Sequence, residues 1–374
     1  LSGCSAFSSK DNADPPAELV EFEPSLEIET LWRVNVGGAA GWSQTLRPLH
    51  RQDQLFLADS TGKVLALERS SGKILWKRDT RTPLSGGPGI AGDLLLLGTG
   101  EAELIALDRA TGDERWRRWD SSEVLSVPAG ESGIAVVRTA DGRVIGVRTG
   151  NGETRWYFDR PVPVLTLRGD SSPLVRNGRV FIGFANGKMA CLALDSGTPL
   201  WETAISAPHG RTELERVVDI DADPVLVEGV VYGASYQGSL AAISESSGVI
   251  LWQRNLSTHA GLDADWRQVY VSDAEDHIWS LDANNGATLW QQKLLHARRL
   301  SAPAIIEQYL VVGDLEGYLH WFAQDDGRLL ARIKVGQDGI RAKPLVVDGV
   351  VYVFDDSGRL TALRSQPIEM DELE

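Results

Sequence analysis

The side chains that could bind a metal or act as nucleophiles are few in this sequence and widely scattered. The six histidines form none of the short spacings through which histidine pairs hold zinc: His50, His209, His259, His277, His296 and His320. The chain has no Gly-x-Ser-x-Gly segment and no phosphate-binding loop. The sequence therefore predicts no metal site, no catalytic site, no cofactor and no enzymatic activity.

One acidic segment imitates a calcium loop. Asp219, Asp221 and Asp223 alternate with apolar residues, as carboxylates do at the start of an EF-hand loop. Such a loop needs glycine at its sixth position and glutamate at its twelfth, where this chain has Pro224 and Val230. The pattern therefore argues against calcium binding.

The two cysteines suggest different roles. Residues 1–4 read Leu-Ser-Gly-Cys, which resembles a bacterial lipobox, so we expect residues 1–3 to be a signal-peptide remnant and Cys4 to be acylated. The alternative is a chance match or an unlipidated thiol. In bacterial lipoproteins, a residue such as Ser5 after the cysteine favours the outer membrane. Cys191 falls in a predicted central strand, where we expect a buried apolar thiol.

The segment that follows Cys4 is polar and acidic, and it contains three prolines. Residues 4–27 are therefore predicted to be a flexible tether. Its reach would be roughly 25 Å as a coil and about 75 Å when extended. Residues 367–374 are predicted to be an acidic C-terminal tail.

A repeat of about 40 residues decides the fold between these segments. Its clearest part is a glycine followed four residues later by tryptophan, in the pairs Gly72/Trp76, Gly112/Trp116, Gly152/Trp156, Gly197/Trp201, Gly248/Trp252 and Gly286/Trp290. Trp32 lacks the glycine, and Gly327/Ala331 lacks the ring. We expect the seven tryptophans to be structural docking residues, and Trp116 to be largely buried.

A β-hairpin precedes each of the six Gly-x-x-x-Trp segments and the Gly327/Ala331 segment, and one more follows. The eight predicted hairpins are Gln54–Glu68, Leu94–Asp108, Gly133–Arg148, Arg179–Asp195, Gly229–Ile243, Gln268–Asp282, Tyr309–Ala323 and Gly349–Arg364. With one further strand on either side, each unit has four strands, which is typical of a β-propeller. The last unit lacks its fourth strand, and the strand at residues 28–36 lacks a hairpin. The sequence therefore predicts an all-β, eight-bladed propeller over residues 28–366, closed by pairing both chain ends.

The composition of the chain argues against some classes of function. The formal net charge of −15 argues against nucleic-acid binding, which needs a basic surface. No apolar run approaches the roughly 18 residues that span a bilayer. The tryptophans outside the docking position, Trp42, Trp119, Trp266, Trp279 and Trp321, are expected to pack within blades or line the ring. The long connection at residues 206–218 is predicted to contain a short helix.

The segment from Leu107 to Trp116 resembles the tryptophan-docking repeat of quinoprotein dehydrogenases, which carry pyrroloquinoline quinone on an eight-bladed propeller. The whole chain, with its lipobox, tether and repeats, more closely resembles the BamB family, the lipoproteins of the outer-membrane β-barrel assembly (BAM) machinery. That resemblance implies a monomeric scaffold held by lipid on the periplasmic face of the outer membrane. It also implies docking on the periplasmic domains of BamA, with unfolded outer-membrane proteins as additional partners. A quinone-dependent dehydrogenase and a carbohydrate-binding propeller remain the alternatives.

Two segments resemble the family stretches implicated in BamA contact. By this resemblance, the partner-binding residues are Leu165, Leu167, Arg168, Asp219 and Asp221. Both segments connect the last strand of one blade to the first strand of the next, so topology predicts one shared, exposed patch. The alternative is that the leucines cap the core and the acids are solvated loop residues.

Overall fold

The computed structural model describes residues 14–37, 46–163, 165–166, 171–207, 211–212 and 217–368. All regular structure within these ranges is β, which confirms the prediction of an all-β fold. Most of the segment predicted to be a short helix, residues 213–218, lies outside the described residues. The described strands are β1 (Leu26–Asn35), β2 (Leu49–Arg51), β3 (Gln54–Ala58), β4 (Lys63–Glu68), β5 (Ile74–Asp79), β6 (Leu84–Ala91), β7 (Leu94–Thr99), β8 (Glu103–Asp108), β9 (Glu114–Trp119), β10 (Ala129–Glu131), β11 (Ile134–Arg138), β12 (Arg143–Arg148), β13 (Thr154–Asp159), β14 (Leu174–Arg176), β15 (Arg179–Gly183), β16 (Lys188–Ala193), β17 (Pro199–Ala204), β18 (Val225–Val227), β19 (Val230–Ala234), β20 (Ser239–Ser244), β21 (Ile250–Asn255), β22 (Gly261–Ala264), β23 (Gln268–Ser272), β24 (Ile278–Asp282), β25 (Thr288–Gln292), β26 (Ala304–Ile306), β27 (Tyr309–Gly313), β28 (Tyr318–Ala323), β29 (Leu329–Lys334), β30 (Leu345–Val347), β31 (Val350–Phe354) and β32 (Arg359–Pro367).

The strands form repeated antiparallel units of four in chain order, which we number repeats one to seven from β2–β5 to β26–β29. The second and third repeats share one eight-stranded sheet, because β6 and β10 pair in parallel at Ala91 and Gly130. Such close approach needs glycine: a Cβ at Gly89 would stand 1.7 Å from the carbonyl oxygen of Pro128. The two middle strands of each repeat are almost fully buried, while exposed residues are concentrated in the outermost strand of repeats one to six.

The remaining sheet joins the two ends of the described chain. Its order is β1-β32-β31-β30, and the pairing of β1 with β32 runs from Leu26 opposite Pro367 to Asn35 opposite Arg359. Strand β1 therefore begins two residues before the predicted boundary and ends one residue earlier. The N-terminal strand completes the last sheet by supplying its outermost position.

Each docking tryptophan packs on the glycine of the following repeat. A Cβ built on those glycines would meet the ring at 2.4–2.9 Å, in the pairs Trp32–Gly72, Trp76–Gly112, Trp116–Gly152, Trp156–Gly197, Trp201–Gly248, Trp252–Gly286 and Trp290–Gly327. In repeats one to six, the indole N–H donates to a carbonyl of the same turn, as from Trp252 to Ala283 at 2.8 Å. Trp116, expected to be largely buried, is half-buried, whereas Trp156 and Trp252 are buried.

Ala331 replaces the tryptophan of the seventh repeat, and the next sheet explains why a ring is not needed there. In that sheet the third and fourth strands, β32 and β1, come from opposite ends of the chain, so no Gly-x-x-x-Trp turn joins them. Leu26 of β1 instead lies in the buried apolar cluster that contains Ala331. The N-terminal strand therefore fills the space beside Ala331 that a tryptophan ring would occupy.

Residues 14–25, assigned by composition to a flexible tether, lie against the seventh repeat instead. The Ala17 N–H donates to the His296 carbonyl at 2.9 Å, and the Arg298 guanidinium donates to the Ala17 carbonyl at 2.9 Å. Leu19 and Phe22 pack on the apolar cluster between the sixth and seventh repeats. These apolar and hydrogen-bonding contacts hold a segment whose overall polarity indicated a free coil.

Other aromatic and thiol predictions have mixed outcomes. Cys191 is fully buried in β16, as predicted, and burial raises the pKa of its thiol to about 12. Trp321 is buried, and half-buried Trp279 donates to Asp273 at 2.7 Å. The prediction that these tryptophans pack inward is wrong for Trp119 and Trp266, which are exposed. Trp119 ends an outermost strand and Trp266 stands in a hairpin turn, so neither has a neighbouring strand to cover it. Trp42 lies outside the described residues.

Candidate partner-binding face

One face of the molecule carries both the connections between repeats and the turns between their second and third strands. The two sets of loops are joined by backbone hydrogen bonds. Ile205 N–H donates to the Gly187 carbonyl at 2.9 Å in the fourth repeat, and Tyr236 N–H donates to the Asp219 carbonyl at 2.9 Å in the fifth. The predicted sharing of one face is therefore observed, and we call it the connection face.

The two segments singled out from the sequence are consecutive connections on this face. The segment containing Leu165 leads from β13 to β14, and the segment containing Asp219 leads from β17 to β18. Their ends are tied together, since Ser172 N–H donates to Asp223 Oδ1 at 2.7 Å. The connections are neighbours in space, as the topology predicts.

Asp223 has a second partner far away in the sequence. Its Oδ2 accepts from the guanidinium of Arg47, which immediately precedes the first repeat, whereas Asp223 precedes the fifth. One carboxylate therefore links Arg47 to the start of β14 through Ser172. This arrangement fixes the inner end of the acidic connection and gives Asp223, whose charge had no assigned role, a structural one.

The predicted partner-binding residues differ in how exposed they are, so they do not form a uniformly exposed patch. Leu165 is 42% exposed, as expected, but Asp219 is only 1% exposed, which contradicts its predicted exposure. Asp221 is half-buried. Leu167 and Arg168 lie outside the described residues, as does Cys4.

Asp219 is buried because the connection folds down onto the core before it reaches the surface. Val217 and Val218 before it, and Ile220 after it, are all buried. Ile220 packs so closely over β15 that a Cβ at Gly183 would lie 2.3 Å from its Cγ2. The apolar residues that flank Asp219 therefore draw its carboxylate inward.

Further ion pairs hold the inner ends of other connections. Lys343 Nζ lies 3.0 Å from Asp263 Oδ1, and Arg341 Nε lies 2.9 Å from Asp356 Oδ2. Burial raises the pKa of the Asp356 carboxyl to about 6, and Arg341 opposes this shift. Within the described ranges, no three histidine, cysteine or acidic side chains come together as a metal site. This face therefore combines salt bridges with the exposed apolar side chain of Leu165.

Sequence reasoning missed Arg47 and predicted the wrong exposure for Trp119. The only signal for Arg47 is a single basic residue before Pro48, and its partner stands 176 positions away. The sequence predicts that Trp119 packs inside, because an aromatic residue beside a strand is more often packed than exposed.

The family model for "Outer membrane protein assembly factor BamB" matches residues 29–84, 60–292 and 277–366. The chain belongs to the BamB family. It is similar to the outer membrane protein assembly factor BamB of Pseudomonas aeruginosa, with 49% identity over 96% of this chain and 94% of that protein. With the protein of the same name from Alkalilimnicola ehrlichii it shares 52% identity over 93% of this chain and 91% of that protein.

Solved structures agree on the fold. The crystal structure of BamB from Moraxella catarrhalis superposes with a TM-score of 0.83 at 26% identity, covering 90% of this chain and 100% of that one. The quinohemoprotein alcohol dehydrogenase of Comamonas testosteroni has a TM-score of 0.67 at 14% identity, covering 93% of this chain and 78% of that one. The second likeness is one of fold alone.

In the described part of the chain, no helix is long and apolar enough to cross a bilayer.

Proposed function

We propose that this protein is a non-enzymatic scaffold that assists the assembly of outer-membrane proteins. The observation that carries the proposal is similarity along nearly the whole chain to proteins named outer membrane protein assembly factor BamB, at up to 52% identity. The connection face, with its clamped acidic segment beside an exposed leucine, supplies a surface through which a scaffold can act.

The proposed architecture is a closed ring of eight blades. Seven repeats of four strands and the mixed sheet of β1 with β30–β32 support this count, if the eight-stranded sheet is read as two blades. Contacts between β30 and β2 support closure, because these inner strands belong to the last and first units. A closed ring leaves no blade face open to solvent.

The proposed partner is the periplasmic region of BamA, which would bind the connection face. Leu165 and Leu167 would lose solvent-exposed apolar area on binding, and Arg168 and Asp221 would orient the partner through charge. Asp219, being buried, would contribute by holding the connection in place. Unfolded outer-membrane proteins are proposed as additional partners.

The proposed location is the periplasmic face of the outer membrane, with lipid on Cys4 as the anchor. The protein should then fractionate with outer membranes, and Cys4→Ala should release it into a soluble or precursor form. Mass spectrometry of the native protein extracted from membranes tests this directly. An unmodified Cys4 would remove the anchor from the proposal.

The decisive experiment compares association with BamA and thermal unfolding for Arg168→Ala and Asp221→Ala. We expect each variant to weaken association by about thirtyfold or more while melting like the parent, since losing one partner of a charge pair at an interface centre costs about 2–5 kcal/mol. The matched controls are Arg328→Ala and Asp326→Ala, which remove exposed charges from a turn between the third and fourth strands of a repeat. Unchanged association in both test variants and in their combination would remove the patch. An equal loss of association and stability would assign these residues a structural role.

A further inference from the structure

The outermost strand of each repeat contains a β-bulge immediately before the docking position. In the fifth repeat, Ala242 pairs with Trp252 and Ile243 pairs with Ile250, so Leu251 is the extra residue. The fourth and sixth repeats place Leu200 and Leu289 at the same position. A bulge residue is left unpaired in the ladder, and the strand bends locally at that point.

These three leucines, which we call the rim leucines, are half-exposed on three consecutive repeats. Leu200, Leu251 and Leu289 are 50–53% exposed. Val249, next to the fifth bulge, is more exposed still. Each rim leucine belongs to a strand at the outer edge of its sheet, with no strand beyond it among the described residues. The result is a row of apolar side chains around one side of the molecule.

The seventh repeat shows what covers such a position. Leu330 is its bulge residue, yet it is only 5% exposed. Ser25 N–H donates to the Leu330 carbonyl at 2.9 Å, and Leu26 lies with Leu330 in one apolar cluster. A segment of the chain's own N-terminus therefore buries the leucine side chain of the bulge and also donates a hydrogen bond to its carbonyl.

The covering segment is held at more than one point. The Arg332 guanidinium lies 5.4 Å from the centre of the Phe22 ring and donates to the Val20 carbonyl at 3.2 Å. The contacts use apolar side chains and backbone groups, both of which an extended polypeptide of varied sequence can supply. We therefore expect such a position to favour a polypeptide that is extended and has apolar residues at alternating positions.

We propose that the rim leucines of repeats four to six dock an extended segment of another polypeptide in the way residues 20–26 cover the seventh repeat. The occupant is an unfolded outer-membrane β-strand, because such strands place an apolar side chain at every second residue. Each bulge offers one leucine and one carbonyl, so the occupant gains an apolar contact and a hydrogen bond at successive repeats. The choice of occupant rests on the proposed function, whereas the docking geometry rests on Leu330 alone.

The test uses a labelled peptide that copies residues 17–28 with glutamine in place of its four glutamates, Ala-Gln-Leu-Val-Gln-Phe-Gln-Pro-Ser-Leu-Gln-Ile. Removing the glutamates avoids repulsion by the protein's net charge of −15. Fluorescence anisotropy should show saturable binding to the full chain. Combining Leu200→Gln, Leu251→Gln and Leu289→Gln should weaken it at least tenfold, since each substitution removes apolar contact area.

The matched control is Trp266→Gln, which removes an exposed apolar side chain from the turn between β22 and β23 and leaves all three rim leucines in place. Its peptide affinity should equal that of the parent. Absent binding, equal affinity in the triple variant, or an equal loss in the control would each overturn the proposal.

Association of the triple variant with BamA should be unchanged, because Leu165 and Asp221 are untouched. The Arg168 and Asp221 variants test the BamA contact separately. If they lose BamA association but still bind the peptide, the result bears on the proposed function and leaves the docking proposal standing.

Discussion

Adding one methyl group at a docking glycine should destabilise the protein by two separable effects. Gly286 has φ +71°, and a Cβ there would lie 2.6 Å from Cε3 of Trp252. The left-handed conformation costs an alanine about 1–2 kcal/mol. Overpacking against the ring costs about 1–3 kcal/mol more. We therefore expect Gly286→Ala to lower the free energy of unfolding by about 2–5 kcal/mol.

Gly178 separates the two effects because it shares the conformation without the ring. Its φ is +73°, and a Cβ there would have nothing within 4 Å. Gly178→Ala should therefore cost only the backbone term of about 1–2 kcal/mol. The difference between the two variants measures the contact with Trp252.

A double-mutant cycle isolates that contact. Trp252→Ala alone should cost about 3–5 kcal/mol, because the ring is buried and its N–H is bonded to Ala283. In that background, Gly286→Ala should cost only about 1–2 kcal/mol, which gives a coupling of about 1–3 kcal/mol. The assay is urea unfolding, with equal slopes in all variants as the condition for comparing them. Additive effects, or equal costs at Gly286 and Gly178, would refute the docking interpretation.

Three further predictions test other parts of the structure. The raised pKa of Asp356, about 6 against an ordinary 3.8, means that the folded state holds this proton more tightly than the unfolded state. This contribution to stability is therefore present at low pH and is lost as the pH rises between those values. Asp356→Asn should reduce the fall in melting temperature from pH 4 to pH 7, and an unchanged pH profile would contradict the assignment. Leu26→Ala should destabilise by about 2–5 kcal/mol in chemical unfolding, since Leu26 fills the space beside Ala331; a cost as small as that of exposed Leu289→Ala would show that the space is not filled. Cys191 should react with iodoacetamide only upon unfolding, because its thiol is buried with a pKa of about 12, so rapid labelling of the native protein would contradict its burial.

The repeat could be predicted because its signals are local. Hairpin residues alternate over a few positions, and a turn glycine lies within four residues of its tryptophan, so strand pairs such as β3 and β4 follow from neighbouring sequence. The docking partner is less local. Trp76 belongs by spacing with Gly72 but packs on Gly112, because adjacent blades meet face to face.

The site was harder to predict because its geometry depends on long-range contacts. Asp219 and Asp221 look alike in sequence, yet Ile220 draws the first inward by packing over Gly183. Composition similarly indicated a free N-terminal segment, since nothing local reveals that Arg298 and Arg332 will contact it. Charge and polarity describe a segment's affinity for water, and they do not report the partners that tertiary structure brings to it.

The pairing of β1 with β32 also determines how late in folding the last sheet can be completed. Residues 26–35 and their partner strand at residues 359–367 are separated by every other strand of the described chain. Until that strand arrives, β1 is an unpaired edge able to pair with other chains. A truncated product lacking β32 should therefore form its inner repeats while remaining prone to aggregation. The last sheet thus depends on both strands at once, since neither β1 nor β32 can complete it without the other.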